Sequence, residues 1–181
     1  MENELQDQDL IKQIAKGSEV AFTSLLRRYK KRVYGTCFFL MGDKALAEDM
    51  SQETWIRVVK GAPDYRPLAS VITWILRISR NLCLNELRTR NRWESFEESE
   101  ANSLPDETAN GEGLLSELQN QKLLQAAILK LPVSQRAALM MVTQEDKSHA
   151  QIAQELDCSV GAVKVLLHRA RKALQKELEG S

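Results

Sequence analysis

Side chains suited to covalent or metal chemistry are few and scattered in this chain. It has two histidines, His149 and His168, and three cysteines, Cys37, Cys83 and Cys158. Their separations fit no standard zinc pattern. No glycine-rich phosphate loop and no Ser/His/Asp set is present. The sequence therefore predicts no enzyme, no cofactor and no metal site. What remains is recognition by cations, amides and hydroxyls. Near the C-terminus Gly161, Lys164, Val165, His168, Arg171 and Lys172 share one helical face, opposite Val163, Leu166, Leu167, Ala170 and Leu174. A second set, Thr73, Arg77, Arg80, Asn81 and Arg88, falls in a sector about 100° wide on an otherwise apolar helix. On a third helix Asp49, Gln52, Glu53, Ile56 and Lys60 lie opposite an apolar side. The two basic sets suit phosphates and base edges, or are ordinary surface. The third suits a docking partner, or is a solvated face with one stray aliphatic. Spacing alone leaves each pair of readings open.

The elements that must carry these faces are all helical. After a short first helix, Gly17 breaks the chain and Ser18 caps the next start. Phe22, Leu25, Leu26, Tyr29, Val33, Cys37 and Leu40 then repeat on one stripe. Gly42-Asp43 ends that helix and begins another, to about Lys60, whose buried side should hold Ala47, Met50, Ser51, Thr54, Trp55 and Val58. Residues 61–67 contain Gly61, Pro63 and Pro67 and predict a loop. Ser70 caps a helix to about Arg90 with a wide apolar arc (Val71, Trp74, Ile75, Ile78, Leu82), which implies packing against at least two others. Trp74, at the margin of the basic sector, is open to two roles, stacking on a base or core packing. Leu114 reopens a helical pattern that Pro132 stops, and further helices are expected over about 133–143, from about His149 and from about Val160. Ser148-x-x-Gln151 reads as a capping box and Asp157-Cys158-Ser159 as a tight turn. A short helix, a tight turn and a longer basic helix make a helix-turn-helix over about 148–167, whose second helix suits a major groove.

Charge divides the chain in the same places. The net charge is zero, but residues 1–92 balance at +5, residues 93–120 at −8 with no Lys or Arg, and residues 121–181 at +3. The expected fold class is all-α: helical domains over 1–92 and 114–181, joined by a flexible acidic linker over 93–113. No apolar run approaches the roughly 18 residues needed to span a bilayer, and the acidic start does not read as a signal peptide. Three widely spaced cysteines favour a reducing compartment, and Cys37 and Cys83 fall on or beside apolar arcs as packing residues.

In this order and spacing the motifs resemble the extracytoplasmic-function (ECF) group of bacterial sigma factors, in the sigma-70 family. The resemblance rests on residues 47–55 (AEDMSQETW) and 73–81 (TWILRISRN) with Asn85 and Arg88. It continues through Leu131-Pro132, Arg136, Leu139, Ile152-Ala153, Val160-Gly161-Ala162-Val163-Lys164 and residues 168–174 (HRARKAL). It covers nearly the whole chain. It implies an RNA polymerase sigma factor that binds the polymerase core at the β′ clamp and β flap, reads the −35 promoter element and melts the −10 element. The implied setting is the bacterial cytoplasm, with a free monomer, no membrane insertion and control by an anti-sigma factor. Asp49, Gln52, Glu53, Ile56 and Lys60 would dock on the β′ clamp. Ser70, Thr73, Trp74, Arg77, Arg80, Asn81, Asn85 and Arg88, with the loop 61–69, would act on the −10 element. Ser148, Ser159, Gly161, Lys164, His168, Arg171 and Lys172 would face −35 DNA.

The chain departs from the family pattern at four places: Val165-Leu166 after Lys164, Ile72 before Trp74, Leu68 in the loop, and Asn85. The linker's reach fits the implied task. The 21 residues over 93–113 average roughly 25 Å end to end and reach about 70 Å when extended. Promoter elements two helical turns apart lie about 70 Å from each other.

Overall fold

Three polar side chains set the first helix boundaries. Ser18, Asp43 and Ser70 each accept a hydrogen bond from the backbone N–H three residues on, at Ala21, Leu46 and Thr73 (3.3, 3.0 and 3.3 Å). Each thereby satisfies a donor that the first turn of a helix leaves open. Gly17 (φ 87°) and Gly42 (φ 68°) supply the left-handed residues that end the preceding helices, a conformation that costs other residue types about 1 kcal/mol or more.

A computed structural model of the chain describes residues 2–90, 117–144 and 147–179. The expected linker over 93–113, and the reopening of the pattern at Leu114, lie outside these residues. The elements are α1 (Glu2–Ala15), α2 (Glu19–Met41), α3 (Lys44–Gly61), a 3-10 turn (Ala62–Asp64), α4 (Val71–Thr89), α5 (Glu117–Lys130), α6 (Val133–Gln144), α7 (His149–Leu156) and α8 (Val160–Glu179). Among the described residues there is no strand. The chain divides into two compact units, 1–90 and 91–181.

In the first unit α2 is the spine against which α1, α3 and α4 pack. Its buried residues Leu25, Val33, Cys37 and Leu40 meet Ala47, Trp55 and Val58 of α3 and Ile75, Leu82, Cys83 and Leu87 of α4. Most of a helix's stability in a protein comes from burying its apolar face, and each buried Leu or Ile adds about 1.5–3 kcal/mol. Phe22 meets Trp55 edge to face with centroids 6.1 Å apart. Cys37 and Cys83 are both buried in this core; interaction with Cys37 and burial push the Cys83 thiol up, and the same interaction holds the Cys37 thiol down. Asp7 on α1, 3% exposed, accepts hydrogen bonds from Arg28 and the Tyr29 hydroxyl on α2.

The second unit is built on small residues. Ala137 and Ala138 of α6, Ala153 of α7, and Ala162 and Ala170 of α8 are buried and let the helices approach closely around Met140, Met141, Ile152, Leu156, Val163 and Leu167. Arg136 is buried and donates to the Leu129 carbonyl (2.8 Å), closing the turn that Pro132 begins; burial lowers its pKa.

Candidate nucleic-acid interface

Helix α4 holds the first basic face. Thr73, Arg77, Asn81 and Asn85 are exposed at i, i+4 spacing, a line that drifts slowly around the helix, and Arg88 is exposed beside it. Arg80 is not on this face. It is 0% exposed, which corrects the expectation that it shares the solvent stripe. The reason is packing: α1, α2 and α3 all pack against α4, and Leu84, one turn beyond Arg80, is buried on the same side. The stripe is narrower by one cation. Ser70 acts as the cap of α4, and its hydroxyl lies 2.7 Å from that of Thr73.

Trp74 is half-buried and forms the seat of the loop before α4. Its ring centroid is 4.9 Å from that of Tyr65 at 58°, and a Cβ added at Gly61 would stand 3.2 Å from the indole. The Tyr65 hydroxyl donates to the Ala69 carbonyl (2.9 Å) and closes the loop. At its tip Leu68 is 93% exposed. Sequence reasoning marked Leu68 only as a departure, because a loop has no periodicity from which exposure can be read. Behind the loop a cleft of about 250 Å³ is lined by Ile11, Lys12, Lys16, Pro63 and Tyr65 among others.

Helix α3 turns Asp49, Gln52, Ile56 and Lys60 to solvent; Glu53 is half-exposed and pairs with Arg57 (2.9 Å). Ile56 is 48% exposed, and Val59, one turn on, is 42% exposed. Val59 was missed, although its i+3 spacing from Ile56 was the available signal. Two neighbouring exposed aliphatics among acids fit a docking surface better than one stray side chain does.

Helices α7 and α8 form the helix-turn-helix. Ser148 and Gln151 make the full capping box: Gln151 N–H donates to the Ser148 hydroxyl (3.3 Å) and Ser148 N–H to the Gln151 amide oxygen (2.9 Å). Asp157 ends α7 in the left-handed region (φ 56°), and the Ser159 hydroxyl accepts from Ala162 N–H (3.1 Å) to start α8. Lys164, His168, Arg171 and Lys172 are exposed along α8, with Gly161 half-exposed. Val165, expected outward, is half-buried, since it borders the inward stripe. Exposed Val160 (43%) and Arg169 extend the surface beyond the sequence reading. The Cys158 thiol is pushed up by burial and by Asp157.

Two helical units, one ending in a helix-turn-helix and the other bearing a basic helix beside a tied loop, define a two-part DNA-binding protein. The sigma-70 region 2 family matches residues 25–93 and the sigma-70 region 4 family residues 121–174. The chain is 30% identical over 177 residues to the ECF RNA polymerase sigma factor SigW of Bacillus subtilis (93% of this chain, 94% of SigW). It is 27% identical over 189 residues to the ECF RNA polymerase sigma-E factor of Escherichia coli (99% and 97%). Its fold is similar to that of CnrH, solved with the cytosolic domain of CnrY (TM-score 0.57, 21% identity, 97% and 99% covered). It is also similar to that of the sigma factor RpoE, solved with the anti-sigma factor NepR from Bartonella quintana (0.54, 22%, 87% and 96%). The chain belongs to the ECF group of sigma-70 family RNA polymerase sigma factors. It is a transcription initiation factor and not an enzyme.

Proposed function

We propose that this chain docks on the β′ clamp of core RNA polymerase through the outward face of α3 and on the β flap through its second unit, and directs initiation at promoters of a particular sequence. The α4 stripe and the loop 61–69 open and read the −10 element; α8 reads the −35 element. Strand opening needs an unpaired base held out of the stack, at a cost of a few kcal/mol. A loop fixed by Tyr65 and Trp74 with an exposed apolar tip suits that task. The domains are 1–92 and 114–181, and residues 93–113 are the acidic connector between them. The chain acts in the bacterial cytoplasm and is a monomer when free. An anti-sigma factor holds it inactive, a reading supported by the similarly folded sigma factor RpoE, which was solved with the anti-sigma factor NepR.

The observation that carries this reading is that α3 and α4 in the first unit and α8 in the second each present an exposed face, on a chain matching both sigma-70 regions. Run-off transcription with purified core polymerase and a promoter library tests it. The expected result is initiation from a defined subset of templates, and weak, unspecific DNA binding by the chain alone. Tight sequence-specific binding without polymerase, and no initiation with it, would instead make the chain a stand-alone repressor or activator.

A further inference from the structure

Helix α2 carries a charged face to which the function above gives no role. From Arg27 to Arg32 it holds five cations (Arg27, Arg28, Lys30, Lys31, Arg32), and its single acid, Glu19, lies two turns away. Arg28 is partly buried against Asp7. The other four are exposed, and among the described residues no carboxylate pairs with them. At 100° per residue Ser24, Arg27, Lys31 and Gly35 lie within about 80° of one another, and Lys30 flanks them about 60° beyond Arg27.

Gly35 is the second observation. A glycine inside a helix is unfavourable by about 0.5–1 kcal/mol relative to alanine. Packing does not require it here: it is exposed, and a Cβ built on it would meet nothing within 4 Å. A residue without a side chain beside Arg27 and Lys31 leaves a polyanion room to approach the helix backbone. On the next turns Tyr34 and Phe38 stack on each other (6.1 Å, 10°), so their facing sides are closed to bases. On the same line Val20, one turn before Ser24, is exposed (79%), so an aliphatic side chain lies at the end of the cationic stretch and not at its centre, where a protein interface would need its anchor.

We propose that this face of α2 binds the sugar–phosphate backbone of duplex DNA, with Arg27, Lys30 and Lys31 on phosphates and Gly35 at the point of closest approach. The partner is argued from charge complementarity, and it rests on the reading of the first unit as a DNA-binding module. The contact is independent of sequence. It would add affinity and salt dependence without changing which promoters are chosen.

The test uses the full chain and a fluorescein-labelled duplex of mixed, promoter-free sequence, with a single strand of the same sequence as a second arm. Arg27→Ala/Lys30→Ala/Lys31→Ala should retain the helical circular dichroism of the parent. Three lost phosphate contacts should lower the slope of log affinity against log salt by about 2.7, so between about 50 and about 200 mM salt the parent should lose about 40-fold more affinity than the variant. Gly35→Leu should fold and bind duplex several-fold more weakly with an unchanged slope. Parent affinity and slope retained in the triple variant overturn the proposal, as does a parent chain that binds no duplex at low salt. A loss confined to the single strand, or to association with core polymerase, overturns it equally. Promoter choice in run-off transcription is read separately, so failure there falls on the sigma-factor reading and not on this contact.

Discussion

Arg77 and Arg80, three residues apart on α4, stand on opposite sides of the boundary between solvent and core: Arg77 is exposed and Arg80 is 0% exposed. Their substitutions should therefore fail in different ways. Arg80→Ala removes a long packed stem as well as a charge, and should destabilise the first unit by about 2 kcal/mol or more, a fall of roughly 8 °C or more in Tm. Arg77→Ala should change stability by less than about 0.5 kcal/mol and reduce open-complex formation at a responsive promoter. Thermal melts set beside permanganate footprinting separate the two. Equal loss of stability would show that α4 does not present the face described.

The cluster tying α1 to α2 makes stability depend on high pH. Burial, then the hydrogen bond and charge of Asp7, push the Tyr29 hydroxyl from its ordinary 10.0 up to about 12. The folded state thus holds a proton that the unfolded chain gives up first. The contribution is complete below pH 10 and is lost as pH rises from about 10 through about 12. Urea unfolding of the parent should weaken across that window more steeply than that of Tyr29→Phe. Asp7→Ala leaves Arg28 and Tyr29 without their shared acceptor and should cost about 2 kcal/mol at neutral pH.

Much of this was legible in the sequence because helices write their faces at fixed spacing. Ser18, Ser70 and Ser148 were readable as caps, and Gly42-Asp43 and Asp157-Cys158-Ser159 as breaks, and the helix limits follow from them within a residue or two. A wheel shows direction but not how many neighbours cover it. Arg80 was misplaced because three helices pack against α4 and close a side that periodicity left open. Leu68 and the Tyr65–Trp74 contact were invisible because they depend on how a loop folds back on a helix. The α2 cations drew no reading from the sequence, because spacing alone does not reveal that Gly35 has open space around it.

The α3 face can be altered without harming the fold. The Glu53–Arg57 pair is on the surface and should contribute only about 0.3–0.5 kcal/mol. Asp49→Ala with Glu53→Ala should leave Tm nearly unchanged and weaken competition with another sigma factor for core polymerase. Ile56→Ser with Val59→Ser should weaken it further, through loss of the apolar centre. Undiminished competition in both would remove α3 as the docking surface.

The capping box at the start of α7 should matter to stability first. Ser148→Ala removes the acceptor for Gln151 N–H and should cost about 1 kcal/mol of the second unit's stability. Ser148→Asp keeps an acceptor at the helix start and should recover most of that loss, though it adds a negative charge near DNA. Melts of the two variants, compared with −35-dependent transcription, would show Ser148→Asp stable but less active. Equal activity in a stable Ser148→Asp would place Ser148 outside the DNA contact.

The α8 face should be read through salt. Lys164 and Arg171 are exposed on a helix whose buried side is complete without them, so Lys164→Ala with Arg171→Ala should leave the fold intact. If both touch phosphates, holoenzyme binding to promoter DNA should lose about 1.8 from its salt slope, and the deficit should be similar on every promoter. If either reads a base edge, the loss should concentrate on promoters with one −35 sequence, by about 1–3 kcal/mol for a bidentate contact. His168→Ala beside them distinguishes the cases further, since a neutral imidazole contributes little to the slope. A promoter-specific loss at an unchanged slope would mark base readout, and a lower slope with unchanged preference would mark backbone contact. No change in either would exclude this face from DNA.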